Sequence, residues 1–202
     1  MQKLNSFILK NLTGFKVLIW ILCLIPLGIL VLKGFQQELG ANPVEFITRN
    51  TGKYSLIFIC ITLLITPLRQ IFKLSSLIRF RRTLGLFTFF YALLHFTIWF
   101  WLDHNLDFSE MFKDVIKRPF ITVGFSAFVL LAVLAATSFN KAIKYLGRNW
   151  QMVHYAIYPI AVLAIVHYYW IKSSKNNLSD VYLYAGIVMV LLAYRVFKKL
   201  KN

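Results

Sequence analysis

The chain has 202 residues, 59% of them hydrophobic, and a mean hydropathy of +0.66. A soluble domain is nearer half apolar, so the composition excludes an ordinary water-soluble fold. A net charge of +16 can attract nucleic acid, but its distribution along the chain argues against that use.

Six apolar blocks, 17–32, 55–72, 84–102, 120–138, 153–171 and 181–197, approach the roughly 20 residues that cross a hydrocarbon core. They predict an all-α integral membrane protein, with 1–202 forming one transmembrane domain and no separate soluble domain. The first block follows Lys3, Lys10 and Lys16 like a signal peptide. Its apolar run is long, however, and "LVLKGF" after it offers no small-x-small cleavage site, so a retained helix is expected. Residues 33–54, with Gly34, Gly40, Asn42 and Pro43, read as an irregular outward turn region. The second block carries Pro67 near its end, which a membrane helix tolerates where neighbours satisfy the freed carbonyl. After the third block, "DHNLDFSEMFKDVIKRP" alternates acids with apolar residues. It predicts a short surface helix, either a solvated cap or a docking site for an external partner. No repeat of fixed period is visible.

Taken alternately, the segments between blocks differ sharply in charge. The N-terminus, the 73–83 region with Arg69, the 139–152 segment and the C-terminal tail hold fifteen of the 23 Lys+Arg and no acid. The other segments hold eight bases and all seven acids: Glu38, Glu45, Asp103, Asp107, Glu110, Asp114 and Asp180. Bases collect on the cytoplasmic side of membrane proteins. The expected protein is therefore multi-pass, with both termini cytoplasmic. Its basic clusters serve topology and anionic lipid rather than nucleic acid. Cys23 and Cys60 lie inside apolar blocks without metal-ligand spacing and read as small hydrophobes. The tryptophans near block ends read as interfacial anchors.

Ionisable groups inside a bilayer are costly and by default mark a site. Of the four histidines, His104 falls in the outward loop and reads as solvated, while His95, His154 and His167 fall inside apolar blocks. The third and fifth blocks both run from inside to outside. At about 1.5 Å per residue, His95 lies roughly 12 Å below the outer end of its helix and His167 roughly 8 Å below its own. Two neutral imidazoles at similar depth suit the axial positions of a haem iron. The alternative is that each bonds a carbonyl or hydroxyl of a neighbouring helix. His154 lies roughly 20 Å from His167 along the axis and some 140° away around a straight helix, with Pro159 between them. A second haem there lacks a histidine on the third helix, where the matching position is Arg82. Such a haem is five-coordinate or takes Met152, a backbone group or water, and Arg82 is a candidate contact for a haem propionate or a flavin phosphate. The apolar blocks contain no Asp or Glu, and the chain has no phosphate-cradling glycine loop.

"RRTLGLFTFFYALLHFTIWFWLD" (81–103), "KRPFITVGFSAFVLLAVLAATS" (117–138), "LGRNWQMVHYAIYPIAVLAIVHYYW" (146–170) and "TPLR" (66–69) together resemble the haem-binding membrane subunits of the bacterial periplasmic methionine sulfoxide reductase system, the MsrQ/YedZ family. The likeness covers most of 55–172. It implies a six-helix b-type cytochrome of the ferric-reductase-like transmembrane group, with haem b, one or two per chain, and an association with FMN. By position, His95, His154 and His167 match the family's haem-ligand histidines. The resemblance implies electrons arriving from a cytoplasmic flavin or NAD(P)H reductase or the quinone pool. They would leave to a periplasmic molybdopterin enzyme that reduces methionine sulfoxide in oxidised proteins. Sulfoxide reduction itself is expected in that partner. Arg69, Lys73, Arg79, Arg81 and Arg82 are inner-face candidates for a flavin phosphate, or set topology alone. Two other readings compete: a stand-alone ferric or quinone-linked reductase, and a non-redox transporter or assembly scaffold with structural histidines.

The topology is open to direct test. A reporter active only outside the cytoplasm is expected to be active when fused after Asp114 and silent when fused after Arg148 or Lys201. The opposite pattern would invert the orientation.

Overall fold

The computed structural model describes residues 2–173 and 177–201. Lys175, one of the outward bases, lies outside them. The described residues are all-helical, and six helices are long and apolar enough to cross a membrane. The chain divides into two compact units, Met1–Ile98 and Trp99–Asn202.

In the first unit, α1 (Gln2–Lys10), α2 (Leu12–Phe35), α3 (Pro43–Ile71) and α4 (Ile78–Ile98) follow in order, with a 3₁₀ turn at Ser75–Leu77 before α4. α3 begins twelve residues earlier than the apolar block that signalled it, so the expected outward turn region shrinks to a short link. The cause is local. The Asn42 side chain accepts from the Glu45 N–H at 3.1 Å, Pro43 occupies the first turn, and Glu45 favours the helix N-terminus. An ion pair from Glu45 to Arg49 lies on the next turn. α2 and α3 both end with a left-handed residue that is not glycine, Gln37 at φ 58° and Lys73 at φ 53°. In each case the following N–H folds back on the last turn, Glu38 to the Lys33 carbonyl and Leu74 to that of Arg69. α1 is tied to the 3₁₀ turn by Asn5, whose side-chain oxygen accepts from the Ser76 N–H at 2.8 Å.

α3 and α4 pack against each other along their length, and Ser55 Oγ donates across to the Thr88 carbonyl at 3.1 Å. Small polar residues let membrane helices approach closely. Tyr91 is the centre of this unit. It is fully buried, stacks on Phe58 at 5.3 Å and meets Tyr54 edge-on at 5.5 Å. Its hydroxyl donates to the Cys23 carbonyl at 2.7 Å and accepts from the Leu27 N–H at 3.2 Å. Those groups flank Pro26, which has no N–H to offer its own helix. The phenol thus enters the backbone ladder of α2 where proline weakens it.

The second unit begins with a π-helical turn, Trp99–Asp103, and continues as α5 (Phe108–Lys117), α6 (Pro119–Ala136), α7 (Asn140–Leu146), α8 (Asn149–His154), α9 (Ile157–Ser173) and α10 (Ser179–Lys201). α5 is the surface helix read from the outward loop. Asp107 caps it by accepting from the Ser109 and Glu110 N–H groups, Met111 and Val115 are buried, and Phe108, Phe112 and Ile116 are exposed. α6 and α9 form the main helix pair of this unit. The bend between α7 and α8 passes through Gly147, whose φ of 50° and ψ of −121° suit only glycine. The fifth span is not one continuous helix. It breaks after His154 and resumes at Ile157, just before Pro159, whose missing N–H withdraws a donor from the preceding turn. The exposed apolar side chains of the spans, from Val17, Ile21 and Leu32 in α2 to Met189 and Val190 in α10, are those a bilayer covers.

Tyr91→Phe removes one hydroxyl and leaves the Cys23 carbonyl and Leu27 N–H without it. It is expected to lower stability by about 1–3 kcal/mol, read as a lower Tm of the detergent-purified chain. An unchanged Tm would mean that α2 closes its own ladder at Pro26.

Candidate functional site: three seated imidazoles

His95 sits on α4, three residues before its end, half-buried against α3. Its Nδ1 lies 2.8 Å from the backbone oxygen of Thr48. A carbonyl only accepts, so in the neutral ring the proton resides on Nδ1 and the lone pair on Nε2. The ring also lies against Gly52, one turn further along α3. A Cβ built there would stand 3.1 Å from His95 Nδ1 and Cε1.

The second unit repeats this arrangement. His167 on α9 donates Nδ1–H to the Phe120 carbonyl on α6 at 2.7 Å, and Gly124 is one turn further along α6. A Cβ there would fall 2.6 Å from Nδ1 and Cε1 of His167, closer than carbon can sit. Each imidazole thus bonds a neighbouring helix's carbonyl, as one sequence expectation held, while the same bond leaves Nε2 as the ligand atom of the other expectation. Satisfying the N–H in this way fixes ring orientation and raises ligand basicity.

His154 ends α8. Its Nδ1 lies 3.1 Å from the Trp150 carbonyl one turn back, and its ring stacks on the Trp150 indole at 3.9 Å. The indole N–H is anchored on the Thr137 carbonyl at 2.9 Å, so α6 holds the tryptophan and the tryptophan holds the histidine. His154 Nε2 lies 3.3 Å from Ser138 Oγ, but that hydroxyl has one proton and a nearer acceptor, the Leu134 carbonyl at 2.7 Å. The Ser138 contact is therefore the weaker hold on the Nε2 lone pair. The helix break after His154 removes the straight-helix premise of the 140° estimate. Met152, weighed as a ligand there, is 64% exposed. Arg82 lies in the first turns of α4 with its side chain exposed.

The expectation for His104 is corrected. Its side chain is only 9% exposed, its Nε2 is 3.4 Å from Asp114 Oδ2, and its ring meets Trp99 edge-on at 4.5 Å. α5 folds back to bring Asp114 onto it, and Arg118 holds the other Asp114 oxygen at 3.3 Å. Trp150, read as an interfacial anchor, also supports His154. Thr48, Gly52, Phe120 and Gly124 were passed over because carbonyls leave no trace in residue identity and glycine in an apolar run is unremarkable.

The fold and these imidazoles define a multi-pass helical membrane protein with histidines inside its spans. The family described as "Ferric reductase like transmembrane component" matches residues 51–165. A protein of Herminiimonas arsenicoxydans named "Protein-methionine-sulfoxide reductase heme-binding subunit MsrQ" is 54% identical over 95% of this chain and 90% of its own length. A protein of the same name from Ralstonia nicotianae is 49% identical over 93% and 87%, and one from Xanthomonas campestris pv. campestris 48% over 81% and 74%. No solved structure matches the chain. The chain belongs to the MsrQ family, within the ferric-reductase-like transmembrane components.

A haem brings four equatorial nitrogens of its own and asks the protein only for axial donors. Among the described residues no three His, Cys, Asp or Glu gather as a protein-built metal cage. Neutral imidazoles with Nδ1 bonded to carbonyl, on half-buried helix faces, are donors of the kind haem takes, so the residues present fit the group.

Proposed function

We propose that this protein is the haem-binding membrane subunit of a methionine sulfoxide reductase system. It is a b-type cytochrome of the bacterial inner membrane that carries electrons outward to a periplasmic molybdopterin enzyme, which reduces methionine sulfoxide in oxidised proteins. The observation that carries the reading is the pair of imidazoles, His95 and His167, each with Nδ1 held by a carbonyl, which in the neutral ring puts the lone pair on Nε2. The printed names of relatives about half identical to this chain support the same cofactor and system.

His95 and His167 are the proposed axial ligands of haem b. The support is their matched depth in the sequence and the same seating of each ring within its own helix pair. When bound, the haem supplies a one-electron ferric/ferrous couple whose potential the axial ligands set. The chain's own residues seat the imidazoles on carbonyls, which sets the tautomer of each neutral ring, and surround them with apolar spans. His154 is the proposed ligand of an inner-side haem or an alternative ligand. Its hold through Ser138 is weak enough to exchange. Arg82 is the proposed contact for a propionate or flavin phosphate near the cytoplasmic face, where a flavin or NAD(P)H reductase, FMN or the quinone pool delivers electrons. The positive-inside pattern supports this orientation, with both termini cytoplasmic.

Purified full-length protein is expected to show a b-type α band in the reduced-minus-oxidised spectrum. His95→Ala and His167→Ala should each abolish it, and His154→Ala should leave it. Wild-type haem stoichiometry in both of the first two variants would overturn the ligand assignment. A colourless protein from haem-sufficient cells would overturn the function.

A further inference from the structure

A helix carbonyl in mid-span already accepts from the N–H four residues on, and the side chain of that later residue leans back over it because Cβ points toward the helix N-terminus. A ring arriving from a neighbouring helix has the clearest approach to the carbonyl's second lone pair where that side chain is missing. At Thr48 the residue four on is Gly52, and at Phe120 it is Gly124. Both histidines follow their carbonyls by 47 positions. The whole set recurs in one register, 48 to 120, 52 to 124 and 95 to 167, each a shift of 72 positions. The sequence showed no repeat because only a carbonyl, a glycine and a histidine recur.

We infer that Gly52 and Gly124 are positioning residues, each leaving bare the carbonyl on which an imidazole sets its tautomer and direction. The inference rests on His95 and His167 being haem ligands and goes beyond that reading by naming what aims them. The two glycines differ in degree. The ring beside Gly52 needs to give by a few tenths of an ångström to admit a methyl group, whereas at Gly124 the methyl would stand 2.6 Å from the ring, so the His167 ring or the helix must shift. Helix propensity favours alanine over glycine, so a loss on substitution would run against the intrinsic trend. A methyl group added at Gly28 in α2 or at Gly186 in α10 would meet nothing within 4 Å, so these two glycines serve as controls.

The test uses purified full-length protein and reads haem-to-protein ratio, ferric low-spin EPR signals and midpoint potential. Gly124→Ala is expected to weaken haem retention about 10- to 100-fold, the usual effect of losing a ligand's outer partner. The haem that remains should have a more positive potential, because an imidazole without its Nδ1 acceptor donates less to ferric iron. Gly52→Ala should shift the same readouts in the same direction by less, and Gly28→Ala and Gly186→Ala should match wild type. Wild-type spectra and potential in both Gly124→Ala and Gly52→Ala would overturn the positioning role. Should Gly124→Ala fail to accumulate, Gly52→Ala decides, since an unshifted potential there overturns the inference. His167→Ala separates the two levels: haem retained in that variant sinks the ligand reading, whereas haem lost there but unperturbed in both glycine variants sinks only the positioning claim.

Discussion

An imidazole inside an apolar span must place its N–H somewhere, and in a helical membrane protein nearly every backbone acceptor is already engaged and covered. This constraint organises both units. Each solves it by opening one carbonyl, with a glycine one turn beyond it, and closing a returning helix down until a ring nitrogen reaches 2.8 Å or 2.7 Å. The same bond that removes a buried donor chooses the tautomer. Stability and ligand chemistry are thus met by a single contact, because a ring with its N–H satisfied on one side carries its lone pair on the other.

The remaining packing protects that contact in different ways. In the first unit, Tyr91 sits one turn before His95 on the same helix. It ties α4 to the proline-weakened ladder of α2 while Phe58 and Tyr54 hold its ring from α3. In the second unit α6 supports two histidines, taking His167 directly on its first turn and His154 through Trp150 near its last. The register that carries His95 to His167 carries Arg82 to His154. In that register the carbonyl seat of a ring recurs from one unit to the other, while an arginine in the first unit stands where the second has a stacked ring.

Six spans and the three histidines inside them were legible from residue identity. Hydropathy, charge sign and the cost of an ionisable group in lipid are properties of side chains taken one at a time or in runs, so they survive without coordinates. The family likeness was legible for the same reason, through long blocks in order, two of which hold the three histidines. Helix ends were less so. The start of α3 was hidden because its cap, Asn42 with Pro43 and Glu45, lies in a polar stretch that hydropathy assigns to a loop, and that stretch turned out to hold Thr48 and Gly52.

What the tertiary structure alone decided is where the imidazole protons go. A carbonyl has no letter in the sequence, and a glycine that bares one looks like any other glycine in an apolar run. The pairing of His95 with Thr48 and of His167 with Phe120 joins residues 47 positions apart, a separation set by helix length and loop length rather than by any local pattern. His104 shows the same limit from the other side. By sequence it is a loop residue open to water, and it is covered because α5 sets Asp114 against it and the Trp99 ring meets it edge-on.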